Sequence, residues 1–156
     1  MNSKLLMGSA ILFALLIFSL LLIRIPVIEV TTDHETYFIR DESITLSWIH
    51  SVEKVPWFEI YERVDGELVL TETYVKAFGA GVPSDLEVID KKNGFVQMKV
   101  DRKMNEVNVV VSENVQTTII VGNKKWELYK MLDSYSEVTF IVRDLYFWNL
   151  FGGEFI

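Results

Sequence analysis

A chain of 156 residues has room for one domain and an appendage, and half of its residues are hydrophobic, a high share for a soluble domain of this size. The absence of cysteine excludes disulfides, thiol catalysis, Cys-based metal sites and a lipoprotein anchor together. Without Lys4 and Arg24, 13 basic residues (15 minus 2) face 22 acidic ones from residue 25 onward, a net charge of −9 that disfavours nucleic acid and anionic lipid as partners.

The apolar excess lies at the front. Residues 5–23, LLMGSAILFALLIFSLLLI, carry no charge, and as a helix rising ~1.5 Å per residue they span roughly 28 Å, close to the ~30 Å hydrocarbon thickness of a bilayer. A cleavable signal peptide needs small residues just past such a run. Here the exit reads LLLIRIPVIEV, with branched, charged and Pro residues instead. The sequence therefore predicts an uncleaved transmembrane signal-anchor over residues 1–24 and an extracytoplasmic β domain over residues 25–156. Lys4 is basic on the short side, and no basic residue lies between Arg24 and Arg40 on the long side. The positive-inside rule then keeps the N-terminus cytoplasmic and places a single-pass cell-membrane protein with its C-terminal domain outside.

Past the anchor, alternation at period two dominates. Short strands are expected at 27–31 and 37–40. In SITLSWIH, Ile44, Leu46, Trp48 and His50 share one face. Pro56 pushes Val55 toward extended geometry and interrupts a ladder, so SVEKVP reads as a corner between two strands. WFEIYERV alternates in turn, with Phe58, Ile60 and Val64 opposing Glu59, Tyr61 and Arg63. Asp65-Gly66 then predicts a type I′ hairpin into ELVLTETYVK, because that turn needs positive φ at both central residues.

In AFGAGVPSD, residues 77–85, the glycines are expected to supply positive φ or a close backbone approach where a strand leaves the sheet. Further strands are expected at 95–100, 107–111 and 117–121, followed by a Gly122-Asn123 turn into KKWELYKM. One helical turn fits residues 130–135, then strands at 136–143 and 146–150. The closing LYFWNLFGGEFI is apolar on both faces, which suits a buried last strand or a tail that docks on a membrane surface or a protein. Many short strands with regular turns predict an all-β fold, a small antiparallel sandwich or barrel-like domain behind one N-terminal transmembrane helix.

The chemically dense stretch is LSWIHSVEKVPWFEIYE, residues 46–62, which holds one of the two histidines, two of the four tryptophans and Glu53, Glu59 and Glu62. His50 and Ser51 are neighbours, and neighbours in an extended chain point to opposite faces. HSVE also lacks the flanking glycines of a nucleophile elbow, so no enzymatic activity is read here. His50, Glu53 and Glu59, with His34 in reserve, match no metal-ligand spacing, and no metal or cofactor is expected. Trp57 reads as a plug at one end of the core, with a Trp48/Trp57 platform for a planar ligand as the alternative. Gly79 and Gly81 are followed by no Lys at phosphate-loop spacing and by no helix, so a Walker loop is excluded.

WIHSVEKVPWFEIYE followed by LVLTETYVKAFGAGVP resembles the bacterial domain-of-unknown-function family 1850 over residues 42–83. Members of that family pair a His-Ser-Val-Glu segment and a downstream Pro with a Phe-Gly-Ala-Gly-x-Pro segment. These fall here on His50, Ser51, Val52, Glu53 and Pro56, then Phe78, Gly79, Ala80, Gly81 and Pro83. The resemblance implies a setting and no catalytic residues. Members are often found beside the substrate-binding proteins and fused membrane subunits of TAXI-class tripartite ATP-independent periplasmic (TRAP) transporters, which import organic anions on ion gradients. The expectation is an accessory protein that contacts the transporter permease or its solute-binding protein. The candidate surface comprises His50, Ser51, Glu53, Pro56, Trp57, Glu59, Phe78, Gly79, Gly81 and Pro83. The alternative is a small-molecule or ion-binding module that senses or presents solute.

Overall fold

A computed structural model describes residues 3–76, 78–79, 81–83, 85–146, 148–149 and 154–156, with backbone alone for residues 3–6 and 92. Helix α1 (Ser3–Leu22) leads through Ile23 directly into the first strand. Its apolar side chains from Met7 onward are exposed rather than packed on the strands. Among the described residues, no helix is long and apolar enough to cross a membrane.

The strands are β1 (Arg24–Thr31), β2 (Thr36–Ile39), β3 (Ser43–Ile49), β4 (Pro56–Val64), β5 (Glu67–Val75), β6 (Glu87–Lys92), β7 (Phe95–Met104), β8 (Glu106–Val110), β9 (Thr118–Val121), β10 (Lys124–Trp126), β11 (Glu137–Tyr146) and β12 (Glu154–Phe155). A single helical turn, α2 (Leu128–Met131), precedes β11. They form two sheets, ordered β12-β2-β1-β11-β8 and β10-β9-β3-β4-β5-β7-β6. The architecture is a sandwich, not a closed barrel, and all pairings are antiparallel except β12 against β2.

Period-two alternation sends one side chain in two to the space between the sheets. Ile28, Val30, Val107, Val138 and Phe140 of the smaller sheet there meet Ile44, Leu46, Tyr61, Leu68, Leu70, Ile119 and Val121 of the larger one. The smaller sheet ends with β11 and β8 lying over β5. Beyond that overlap, Trp57, Val75 and Met98 form a second cluster, covered by Val82 and Leu86 from the loop that follows β5.

Strand polarity separates the two ends of the sandwich. β1 starts at Arg24, paired with Tyr146, and ends at Thr31, paired with Thr139. The short connection 40–42 carries the chain from β2 to the start of β3 at the Arg24 end, where the Arg63 amide donates to the Glu42 carbonyl. The corner 50–55 and the loop 76–86 therefore both lie at the opposite end. Eight residues of β1 at ~3.3 Å each put roughly 26 Å between the two ends.

Most expected elements form within a few residues of their sequence positions. Asp65 (φ 51°) and Gly66 (φ 83°) make the type I′ hairpin. A second such turn, Asn93 (φ 54°) and Gly94 (φ 76°), joins β7 to β6, a strand beyond those the sequence predicts. The helical turn falls earlier, at α2. Strand β11 runs on to Tyr146, but residues 147 and 150, part of the expected strand 146–150, lie outside the described residues, as do 77, 80 and 151–153. The end of the tail docks: Phe155 packs on Phe38, and Ile156 joins the core.

Phe140, 1% exposed, is the largest fully buried side chain between the sheets. Phe140→Ala is expected to lower stability by about 3–5 kcal/mol, read as a shift in the chemical denaturation midpoint followed by tryptophan fluorescence.

Candidate functional site

The corner after β3 is a tight, hydrogen-bonded turn. The His50 amide donates to the Val55 carbonyl at 2.8 Å, and the Lys54 amide donates to the His50 carbonyl at 2.9 Å. Lys54 adopts φ 55° to allow this. The Glu53 amide donates to His50 Nδ1 at 3.1 Å. An Nδ1 that accepts leaves the ring proton on Nε2, so the turn selects one neutral tautomer. Ser51, Val52 and Glu53 form the exposed tip, so Ser51 follows His50 through a turn and not along a strand.

Pro56 begins β4 opposite Ile49, a position where a missing N–H costs little. Trp57 is paired with Trp48 across the ladder. Its ring is flanked by Trp48 (centroids 5.5 Å apart) and by His50 (5.6 Å), both nearly parallel to it. Its Nε1–H donates to Thr73 Oγ1 at 2.8 Å, and that hydroxyl donates to the Phe58 carbonyl at 3.2 Å. At 8% exposure the indole has no open face for a planar ligand. This removes the platform alternative and leaves Trp57 as the core plug.

The two motif segments meet in space. A Cβ placed on Gly79 would lie 2.5 Å from Glu53 Oε1, so the glutamate side chain rests on bare glycine backbone. Gly81 serves a different end, with φ 82°. The loop returns through a Val82 amide that donates to the Gly79 carbonyl at 3.3 Å, and it sets Val82 on the Trp57 cluster. Pro83 follows, half-buried. On either side of the Glu53–Gly79 contact, Val52 is 68% and Phe78 59% exposed. The motif contains both residues, but their exposure is a product of the turn and the loop, which the sequence alone did not reveal.

Glu59 does not share this surface. It lies on the inward face of β4 beside Tyr61, whose hydroxyl donates to Glu59 Oε2 at 2.6 Å. Burial pushes the Glu59 carboxyl above its ordinary 4.5, against the smaller opposing effects of the Tyr61 bond and the Arg102 charge. Burial, and then the Glu59 charge, raise the Tyr61 phenol well above its usual range. Among the described residues, no three His, Cys, Asp or Glu side chains are placed to hold a metal ion. Two recesses adjoin Trp48, one of about 280 Å³ lined also by Leu46, Val109 and Val115 and one of about 330 Å³ lined also by Pro56, Phe58 and Thr118, both near the lower limit of the roughly 300–1,000 Å³ of small-molecule sites.

Residues 44–128, more than half of the chain, match the family described as Domain of unknown function (DUF1850), and the chain belongs to that family. The match reaches well past residue 83 and takes in almost all of the larger sheet, together with β8. Neither a curated protein nor a solved structure matches the chain.

Thr73→Val keeps the shape but leaves the buried Trp57 N–H unsatisfied, and is expected to cost about 1–3 kcal/mol in chemical denaturation. Glu59 yields a pH test. Its raised folded-state pKa means that the folded chain binds its proton more tightly than the unfolded chain. Its contribution therefore declines as pH rises from the unfolded value through the folded one. Glu59→Gln removes that decline. The variant should gain on the wild type as pH rises above about 4 in paired urea titrations.

Proposed function

We propose that this chain is a membrane-anchored, extracytoplasmic accessory protein of a TAXI-class TRAP solute uptake system, and that it works by protein–protein contact. The observation that carries the reading is the junction of the two family motifs, where Glu53 covers Gly79 and leaves Val52 and Phe78 projecting from the end of the sandwich opposite Arg24. An exposed apolar pair on a braced turn suits a docking contact, because an aromatic anchor held in place loses little freedom on binding.

Tethering through α1 keeps the domain in the membrane plane and raises its effective concentration beside a permease or its solute-binding protein. Charge also favours contact over solute presentation. The substrates implied for such transporters are organic anions, and a domain of net charge −9 (13 basic, 22 acidic) repels them.

The test is a photo-crosslinker at residue 52 or 78 in native membranes, with mass spectrometry of what is captured. Recovery of a transporter permease or solute-binding protein supports the reading. A folded, abundant protein that captures neither sinks it, and calorimetry of the chain against ions and small organic acids then becomes the decisive experiment. The double variant Val52→Ser/Phe78→Ser should fold normally, because both residues are exposed. With the crosslinker moved to the exposed position 51 in both proteins, it should weaken capture about thirtyfold, as truncating a central aromatic anchor costs roughly 2 kcal/mol.

A further inference from the structure

The opposite end of the sandwich carries a second cluster whose chemistry the fold does not require. Arg24 opens β1 immediately after the apolar helix, separated from Leu22 by Ile23. It forms the last rung of the β1–β11 ladder with Tyr146. Its Nη2 donates to the Tyr146 hydroxyl at 2.9 Å, and its guanidinium carbon lies 4.8 Å from the centre of the Tyr146 ring. Trp148 stacks on the other ring of this row, its centroid 4.5 Å from that of Tyr146 and the planes 6° apart. Among the described residues, neither core cluster includes Tyr146 or Trp148, and Trp148 is 45% exposed. Core packing therefore does not explain why a cation, a phenol and an indole are aligned here.

Their place at the helix end gives an explanation. Tyr146 lies level with Arg24, the first residue of β1, so with α1 in a bilayer the cation and the two stacked rings stand where hydrocarbon gives way to headgroup. A guanidinium has five N–H donors, and the bond to Tyr146 uses one. The rest can meet a lipid phosphate, while the two rings sit at the glycerol level, where amphipathic aromatics are favoured.

We propose that Arg24, Tyr146 and Trp148 form an interfacial clamp that binds the phosphate and glycerol region of a phospholipid. The inference rests on α1 being a membrane anchor. The clamp holds the sandwich at two points, the end of the helix and the end of β11, so the domain cannot pivot about Ile23 and the Val52–Phe78 tip is held away from the bilayer. The acidic surface confines adhesion to this cluster, since a broad contact with lipid would set 22 acidic residues against 13 basic ones near an anionic headgroup layer.

The test uses the full-length chain in phosphatidylcholine vesicles containing lipids brominated on the acyl carbons nearest the headgroup, which quench tryptophans at that depth. Trp48 and Trp57 lie at the far end, and Trp126 packs against Tyr37. Trp148 should therefore supply most of the quenching. Trp148→Phe is expected to lose most of it, and Arg24→Gln to reduce it by weakening the hold on the phosphate. Equal quenching in the wild type and Trp148→Phe, with the chain retained in the vesicles, overturns the clamp and leaves the anchor standing. Unchanged quenching in Arg24→Gln removes the phosphate contact and overturns the clamp as stated. A chain that stays in the supernatant overturns anchor and clamp together.

Discussion

The buried indole of Trp57 organises the far end of the sandwich. Its N–H must find an acceptor, because an unsatisfied buried donor costs about 1–3 kcal/mol, and Thr73 on the neighbouring strand supplies one. That bond, with the Trp48 ring across the ladder, fixes where β3, β4 and β5 stand relative to one another. His50 then packs on the same indole, which sets the angle at which the chain enters its turn. The loop that follows β5 is drawn over the same ring through Val82, and this carries Gly79 beneath Glu53. A surface that looks like two separate motifs in the sequence is one assembly hung on one side chain.

The two sheets have different origins along the chain. The larger is woven from sequence-local pairings in the middle, the meander β3-β4-β5 and the hairpin β6-β7, whose second strand β7 pairs with β5, with β9 and β10 added at the other edge. The smaller depends on β1 meeting β11, a pairing of residues 24–31 with 139–146. The family match covers the first sheet and largely omits the second. A hairpin sheet forms from local contacts, whereas the β1–β11 ladder must close a loop of more than a hundred residues, so it is expected to form late in folding. The helix and the closing tail both belong to this late sheet.

The Asp65-Gly66 hairpin was legible because the turn chemistry is local and the flanking runs alternate cleanly. β6 was not, because EVIDKK mixes charge and apolar residues on both faces and a bulge between Val88 and Asp90 breaks its period. β12 is two residues long and exists through its pairing with β2, a contact with no signature near residue 154. In WFEIYERV the period was clear and the inward face was not, since both faces carry apolar residues. Register with Trp48 turns Trp57, Glu59 and Tyr61 inward, which withdraws Glu59 from the candidate surface. The structural role of the loop glycines is legible in the sequence. Which side chain would occupy the space above Gly79 is a tertiary fact and could not be read from either segment alone.

A single residue, Ile23, lies between α1 and the first strand. A flexible tether of n residues sweeps roughly 5–6 Å × √n, so a chain with a long linker samples a broad hemisphere. Here that radius collapses to almost nothing. With α1 anchored as proposed and the Arg24–Tyr146–Trp148 clamp engaged, the sandwich would behave as a gauge block of fixed height, its tip travelling in a thin annulus around the helix axis. A partner would then have to offer a complementary face at that one altitude, which would make geometry a filter before any side chain is compared.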